Sequence, residues 1–440
     1  DNTLPNNYRP ISLLSPFSKI IEKVIFNQIY SNFHSHKLFY SSQYGFLKNH
    51  STEFACLELL DRITYAIENH STPINIFLDL SKAFDTLDHN ILLNKLAFYG
   101  ISGKSLNLLK LYISDRQQIT EYDGQLSGSA LITTGVPQGS VLGPLLFIIY
   151  LNDIPFACQI LKLVLYADDS TIFTTFETLI QGNENIETVL NAELLKLCNW
   201  FKCNKLPLNA SKTKAMVFHM INKRINLPNI VIENTPVEIC DRFDFLGISI
   251  TLDKHLKWCY HIEKISHKIS KVVGILNRLK SFLPPDILLT IYQSLISPHL
   301  YYGVLAWGHK AERIFKLQKK AVRIITHSKY NAHTDPIFNK LSLLKIQDVL
   351  KLQQLKFYFK LKNGCLPAYF STYNFVHHSD VHSYETRGRE MLMTPMLQYE
   401  FSKHCLRNSL PSLINQTKNN ILSKINTHSL HGFALYIKNN

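Results

Sequence analysis

Two adjacent carboxylates, Asp168 and Asp169, lie in a Tyr-Ala-Asp-Asp segment between two runs of β-forming residues at 160–166 and 171–176. This pattern predicts a β-hairpin with the acids at its tip. Ionised carboxylates at such short range repel each other unless a cation lies between them. Asp-Asp-Ser is also a common turn composition, so the pair alone is equally compatible with a turn that has no chemical role.

A third carboxylate, Asp79, ends the apolar run 74–78, which reads as a buried strand. If the two segments form neighbouring strands, three carboxylates converge. Such a constellation can hold two divalent cations about 4 Å apart, the arrangement used for in-line phosphoryl transfer in polymerases and nucleases. The chain then enters a helical pattern at 91–99, and we interpret Asp85 and Asp88 as helix caps or solvated acids.

A glycine-rich segment at 135–144 separates the two acidic segments. Its glycines allow the backbone to approach a ligand closely. Ser140 is a candidate cap for the apolar helix that follows, and Pro144 falls in the first turn of that helix, where its missing N–H costs little. A tight loop that merely opens a buried helix would look the same, but the position between the acidic segments favours a role at the site.

Together these motifs resemble the reverse transcriptase domain of non-LTR retrotransposons of the LINE type, close to the Jockey and CR1 groups. The resemblance runs along most of the chain, through ordered motifs at 7–13, 43–46, 77–85, 137–139, 166–169, 204–213, 245–247, 318–325 and 382–387. It implies an α+β fold with the right-hand polymerase architecture of fingers, palm and thumb, followed by a helical C-terminal extension.

The resemblance also implies the role of each site residue. Asp79, Asp168 and Asp169 would hold two Mg²⁺ ions, with Mn²⁺ as a substitute. Lys212 would lie near the leaving pyrophosphate as a proton donor, although a solvated strand-edge lysine is the equally weighted alternative. Arg9 would contact the nucleotide triphosphate, a task suited to a rigid, always-charged guanidinium.

Four further residues are implied in nucleotide binding: Leu80, Phe84, Gln138 and Gly139. Phe84 would be the steric gate that excludes the ribose 2′-hydroxyl; the alternative is an ordinary core aromatic. Gln138 and the backbone around Gly139 would line the incoming nucleotide and the template base.

Composition and charge agree with this interpretation. The chain has 440 residues, of which 46% are hydrophobic and 18% charged, which favours large buried cores over disorder. The formal net charge is +14, and residues 251–330 carry 14 Lys and Arg against 4 Asp and Glu on a helical pattern, which is suited to gripping a phosphate backbone.

Other classes of protein are disfavoured. The longest apolar run, 141–151, is shorter than the roughly 20 residues that a membrane helix requires, and no signal peptide is visible. The eight cysteines lack zinc-site spacing, so we interpret them as structural and expect a reduced intracellular compartment. The first residue is Asp1, so we expect a fragment of a longer reading frame.

We predict three regions: fingers and palm at 1–250, a basic thumb-like region at 251–330, and a C-terminal helical region of unknown role at 331–440. The resemblance implies an RNA-directed DNA polymerase of a non-LTR retrotransposon. Its partners would be the element RNA as template, a DNA primer strand and deoxynucleoside triphosphates, in a cytoplasmic ribonucleoprotein and in the nucleus. The alternatives are a catalytically impaired nucleic-acid-binding remnant and a group II intron-type enzyme, for which no maturase-like tail is visible.

Two positions depart from the family pattern and favour impairment. Leu47 stands where an arginine is usual, and leucine offers neither charge nor donors. Arg407 stands where a tryptophan is frequent, so we expect a void or an unpaired charge there if the site is buried.

Overall fold

The computed structural model describes residues 8, 11–180, 185–220, 225–246, 250–381 and 389–417. The chain divides into two compact units. The first takes in the described residues of 1–50, 74–215 and 226–239, and the second those of 51–73, 216–225 and 240–440. None of the described helices is long and apolar enough to cross a membrane.

The helices have the following bounds in chain order: α1 Pro16–Ser35, α2 Thr52–Glu68, α3 His89–Phe98, α4 Gly103–Ile113, α5 Gly143–Tyr150, α6 Phe176–Leu179, α7 Ile186–Cys203, α8 Cys259–Leu279, α9 Pro285–Leu295, α10 Ser297–Tyr301, α11 Val304–Trp307, α12 Glu312–Ile325, α13 Asp335–Lys340, α14 Ile346–Lys362, α15 His378–Val381, α16 Glu400–Lys403 and α17 Leu406–Gln416.

The strands have the following bounds: β1 Pro73–Leu78, β2 Arg116–Gln118, β3 Glu121–Tyr122, β4 Gln125–Leu126, β5 Ala130–Ile132, β6 Lys162–Tyr166, β7 Asp169–Thr175, β8 Lys214–Val217, β9 Val231–Ile232, β10 Thr235–Pro236, β11 Glu238–Ile239, β12 Arg242–Phe245 and β13 Ile250–Asp253.

A five-stranded sheet in the order β11-β8-β1-β7-β6 forms the centre of the first unit. β6 and β7 pair antiparallel, and β11 pairs parallel with β8. Every residue of β1 is buried, and so is every residue of β7 after Asp169. Burial on both faces explains why β1 reads as a nearly continuous apolar run rather than an alternating one. The predicted α+β fold is therefore confirmed, and the buried strands β1 and β7 lie in its core.

Helix α5 has no polar face because it lies wholly inside this unit. All its residues except Pro144 are buried. A helix that is apolar all round is expected in the core of a large domain. Ser140 Oγ accepts a hydrogen bond from Gly143 N (3.0 Å), and Pro144 is in the first turn, as the sequence predicts.

The second unit is mainly helical. β12 pairs antiparallel with β13, β13 packs against α8, and α8 packs against α9 and α12. The apolar stripe of α8 is buried, and α9 begins at Pro285. Residues 331–417 contribute α13 to α17 to the same unit as the basic helices, and the boundaries at 250 and 330 stay a prediction.

Helix α2 belongs to the second unit, although its sequence lies in the predicted fingers region. Its Phe54 makes edge-to-face ring contacts with Phe357 of α14 and with Phe370, at centroid distances of 6.0 and 5.5 Å. Aromatic pairs of this geometry add stability beyond the area that they bury. The C-terminal residues therefore supply part of the core that covers α2.

Arg407 lies on α17 and is not an unpaired charge. Its Nη2 donates to the Thr372 carbonyl oxygen (2.6 Å), and the guanidinium lies 5.0 Å from the centre of the Tyr373 ring. A planar guanidinium can stack on an aromatic face while it donates hydrogen bonds in its own plane. The expectation of an unpaired charge at this position was wrong.

A buried carboxylate, Asp61 of α2, is held by two donors from the C-terminal part of the chain. Tyr373 Oη donates to Asp61 Oδ2, and Cys405 Sγ donates to Asp61 Oδ1 (2.9 Å). Burial raises the pKa of Asp61 to about 6, and the two hydrogen bonds oppose that rise. The folded chain therefore holds the Asp61 proton more tightly than the unfolded chain does.

This shift predicts a pH dependence of stability. The stabilisation from protonated Asp61 is complete below about pH 4 and is lost as the pH rises through about 6, a change on the order of 3 kcal/mol. Asp61→Asn cannot titrate, so its melting temperature, measured against the parent between about pH 5 and 7.5, should lie furthest below the parent at the acidic end. Parallel melting curves across that range would show that Asp61 does not titrate there.

Candidate active site

The Asp168–Asp169 pair lies at the tip of a two-residue hairpin. Tyr166 pairs with Asp169 across the ends of β6 and β7, and Ala167 and Asp168 form the loop. Ala167 has a φ of +56°, a conformation that such loops require at their first position and usually obtain from glycine. Asp168 is half-buried and Asp169 is exposed. The hairpin prediction is confirmed, with Asp169 as the first residue of β7 rather than part of the turn.

Asp79 immediately follows β1, the strand next to β7 in the sheet. Its main chain is fixed by the 209–213 turn: Asn209 N donates to the Asp79 carbonyl oxygen (2.8 Å), and Asp79 N donates to Thr213 Oγ1 (3.4 Å). The sheet thus brings together two neighbouring strands, β1 ending before Asp79 and β7 beginning at Asp169.

These acids have the right donor chemistry for hard divalent cations, which prefer carboxylate oxygens. Across the described ranges, however, no three His, Cys, Asp or Glu side chains are already grouped closely enough to hold a metal ion. The sheet therefore fixes the backbone positions of the acids on neighbouring strands, while the three carboxylates do not form such a group.

Lys212 lies in the turn that contacts Asp79. Its backbone N donates to the Asn209 carbonyl oxygen (3.2 Å), and its side chain is exposed. The structure thus puts Lys212 close in the chain to a main-chain contact of Asp79. Exposure fits both readings of this lysine, so its role as a proton donor stays a prediction.

Phe84 lies in a short 3-10 turn, Ala83–Asp85, that follows a left-handed Lys82 with a φ of +49°. Its ring stacks on Phe147 of α5 at 4.3 Å between centroids and meets the edge of Phe46 at 6.1 Å. The side chain is half-buried. Phe84 is therefore packed on one side and reachable on the other, which both of its predicted roles allow.

Leu80 is buried and its backbone forms an antiparallel bridge with Leu208. This contact belongs to the same main-chain ladder that holds Asp79. Arg9 lies outside the described residues.

The glycine-rich segment 135–144 carries Gln138, and we call it the Gln138 loop. Two hydrogen bonds fix Gln138 in this loop. Gln138 Nε2 donates to Asp85 Oδ1 (2.9 Å), and the Gln138 carbonyl oxygen accepts from Ser12 N (2.8 Å). Gly139 has a φ of +106°, which side chains rarely adopt. Gln138 and Asp85 line a cavity of about 180 Å³ together with Arg116. These two hydrogen bonds therefore hold the loop in place.

The two acids interpreted as caps have different functions. Asp88 caps α3, since its Oδ1 accepts from Asn90 N (2.9 Å) and Ile91 N (3.0 Å), and it also pairs with Lys205 (2.6 Å). Asp85 instead holds the Gln138 side chain. Of the two predicted alternatives, helix cap or solvated acid, Asp88 is a cap, whereas half-buried Asp85 binds a side chain 53 residues away in the chain.

Glu22 of α1 is a buried site residue that the sequence analysis missed. Its Oε2 accepts from Val141 N (2.6 Å) and Leu142 N (3.3 Å), at the start of α5. A carboxylate satisfies orphan N–H groups there and complements the helix dipole. The available signal was one acid among the apolar residues of α1. Glu22 therefore anchors the end of the Gln138 loop where it enters α5.

Leu47 is buried, and the neighbouring Lys48 does not replace the missing arginine. The Lys48 ammonium lies 5.1 Å from the centre of the Tyr30 ring, and its backbone N donates to Tyr30 Oη (3.0 Å). The Lys48 ammonium, next to Leu47 in the chain, thus contacts the Tyr30 ring on α1.

Comparison with known proteins identifies related sequences. The family described as reverse transcriptase (RNA-dependent DNA polymerase) matches residues 1–250. A probable RNA-directed DNA polymerase from transposon X-element of Drosophila melanogaster is 27% identical over 370 residues, covering 81% of this chain and 40% of that protein. The RNA-directed DNA polymerase from mobile element jockey of the same species is 28% identical over 360 residues, covering 79% and 38%. The chain spans about two fifths of the length of these relatives.

Among solved structures, a telomerase from Candida tropicalis in complex with a fragment of telomeric RNA aligns with a TM-score of 0.37 and 11% identity, covering 80% of this chain and 56% of that one. A score this low carries no weight for the fold.

The Glu22 contacts predict that Glu22→Gln destabilises the first unit. An amide oxygen still fits, but the charge that complements the N-terminus of α5 is lost, so we expect a cost of about 1–2 kcal/mol. The measurement is the melting temperature, and Lys19→Gln, an exposed change on the same helix, serves as the control. If both variants melt with the parent, the Glu22 contacts contribute nothing to stability.

Proposed function

This chain belongs to the reverse transcriptase family, and from that premise we propose that it is an RNA-directed DNA polymerase of a non-LTR retrotransposon. Its substrates would be an RNA template, a DNA primer strand and deoxynucleoside triphosphates. One observation carries the proposal: the carboxylates of Asp79 and of the Asp168–Asp169 hairpin follow and open neighbouring strands of one buried sheet.

In the proposed reaction the primer 3′-hydroxyl attacks the α-phosphate of the nucleotide, a new phosphodiester bond forms, and pyrophosphate leaves. Two Mg²⁺ ions, when bound, would lower the pKa of the attacking hydroxyl and stabilise the charge on the leaving oxygens. Asp79, Asp168 and Asp169 would supply the oxygen ligands. Lys212 would give a proton to the departing pyrophosphate, and Arg9 would bind the triphosphate.

The Gln138 loop would position the nucleotide and the template base. Its backbone is held by Ser12 and Glu22 and the Gln138 side chain by Asp85, so the loop need not be ordered when the nucleotide arrives. Preorganised contacts reduce the entropy lost on binding. Phe84 presents the free part of its ring on the segment that follows Asp79, which supports its proposed role against the ribose 2′-hydroxyl.

Binding of nucleic acid is supported by the charge of the second unit. Lys268 and Lys271 are exposed on α8, whereas Lys264 is paired with Asp244 (2.7 Å). A groove of about 660 Å³ between α8 and α12 is lined by Lys280, Lys320 and Arg323 among others. Several cations along one surface suit the regularly spaced charges of a phosphate backbone.

One observation favours the alternative of an impaired copy. The buried Leu47 cannot supply the charge or the hydrogen bonds of the arginine found in the family pattern. Arg407 gives no such support, because its guanidinium has partners.

The acids provide the direct test. Asp79→Ala, Asp168→Ala and Asp169→Ala should each abolish Mg²⁺-dependent primer extension on an RNA template, since one lost ligand disrupts the shared metal pair. Their melting temperatures should stay close to that of the parent, because the main-chain pairing of the hairpin and the backbone contacts of Asp79 do not involve these carboxylates.

Asp88→Ala is the matched control for these variants. It should lose about 1 kcal/mol of stability with the α3 cap and still extend the primer. Near-parental extension by any of the three site variants would remove that residue from the site.

Phe84→Ala should admit ribonucleotides more readily, with only a moderate fall in deoxynucleotide incorporation, because the ring would no longer oppose a 2′-hydroxyl. The measurement is kcat/KM for each sugar. Phe147→Leu is the control, since it removes the stacking partner and leaves the Phe84 ring in place. An unchanged preference in Phe84→Ala, or an equal change in both variants, would make Phe84 a packing residue.

A further inference from the structure

A short segment, 42–45, contacts the edge of the central sheet at β6 through one bridge residue, Gln43. Tyr44 N donates to the Leu165 carbonyl oxygen (2.7 Å), Leu165 N donates to the Ser42 carbonyl oxygen (2.9 Å), and Gln43 forms a parallel bridge with Leu165. Since Asp168 and Asp169 follow β6 in the hairpin, this segment runs alongside the strand that precedes the acids. It therefore covers what would otherwise be a free edge next to the hairpin turn.

The Gln43 side chain connects this segment to the turn itself. It is 1% exposed, and its Oε1 accepts from two backbone N–H groups, those of Gly45 (2.8 Å) and Ala167 (3.3 Å). A neutral amide oxygen has two lone pairs and can serve both donors. A glutamate could do the same, but it would add a buried negative charge beside two carboxylates.

Gly45 makes the contact close. A Cβ at this position would lie 2.4 Å from Ala167 N and 3.1 Å from Ala167 Cα. Both neighbours are main-chain atoms, so a side chain at 45 could not be accommodated without moving the turn. Ala167 meanwhile holds a left-handed φ of +56° without the freedom of glycine. Ala167 thus keeps an uncommon backbone conformation where it meets the Gln43 side-chain oxygen and the backbone of Gly45.

We propose that Gln43 is a positioning residue for the metal-binding acids. Its side-chain oxygen binds the Ala167 amide and so fixes the backbone position of the following residues, Asp168 and Asp169. The proposal rests on the proposed function, because it concerns ligands of that same metal pair. Gln43 touches neither substrate nor metal. Groups that orient metal ligands typically change metal affinity or activity by about 10- to 100-fold when they are removed.

The test compares Gln43→Met, which keeps the length of the side chain and removes the acceptor, with Gln318→Met. Gln318 is a buried glutamine of the second unit whose Oε1 also accepts from a backbone N–H, that of Ile346 (3.0 Å). Both variants lose one buried acceptor, so both should melt below the parent. Only Gln43→Met should alter metal use.

Three readouts separate positioning from general loss of stability. In Gln43→Met the Mg²⁺ concentration for half-maximal extension should rise by about 10-fold or more, while the nucleotide KM stays within about 2-fold. Direct Mn²⁺ binding, followed by electron paramagnetic resonance without substrates, should weaken by a similar factor. Amide hydrogen exchange should accelerate in the peptide that covers 163–170 and not in the one that covers 74–78.

Parental metal dependence, Mn²⁺ binding and exchange in folded Gln43→Met would overturn the proposal, as would equal changes in Gln318→Met. If Gln43→Met does not fold, Gln43→Asn decides, because it keeps a buried amide that is one methylene too short to reach both donors. If the parent extends no primer, the proposed function fails, whereas the hydrogen exchange and Mn²⁺ measurements still report on the Gln43 contact.

Discussion

Repulsion between carboxylates is the constraint that the first unit must meet. Two charges about 4 Å apart in a surface-like dielectric repel each other by about 4 kcal/mol, a large fraction of the stability of a typical domain. Main-chain contacts hold the backbone at the positions of these acids. The backbone of Asp79 is fixed by the 209–213 turn. The hairpin is formed by β6 and β7, and β7 is buried after its first residue. The backbone at the acids is thus held by the sheet and by the 209–213 turn, and carboxylate oxygens are the ligands that hard divalent cations prefer.

The same principle governs the loop that carries Gln138. Ser12 and Glu22 bind its backbone, and Asp85 holds its side chain. A loop fixed this way presents polar groups to a ligand without first being ordered, which favours tight positioning over adaptability. Glu22 and Gln43 share a pattern: each is a buried polar side chain whose oxygen satisfies two neighbouring N–H groups. Neither Glu22 nor Gln43 is itself proposed to contact substrate or metal.

Local signals in the sequence were sufficient for the elements that carry the site. The hairpin, the strand before Asp79 and the Asp88 cap all follow from residues within a few positions of one another. Asp85 was misread because its partner is distant. Glu22 and Gln43 contact residues 119 and 124 positions away, and nothing in a single sequence reveals a hydrogen bond across that distance. The apolar composition of α5 predicted a buried helix but not which acid would meet its first turn.

The placement of α2 has a consequence for how the chain is made. Asp61 lies 312 and 344 positions before its donors Tyr373 and Cys405. At a synthesis rate of about 5–20 residues per second, roughly 15 to 70 seconds pass between the emergence of this carboxylate and that of its partners. During that interval α2 has neither its buried hydrogen bonds nor the aromatic cover from Phe357 and Phe370. The second unit therefore cannot be completed in the order of translation, and its first helix must wait for the last part of the chain.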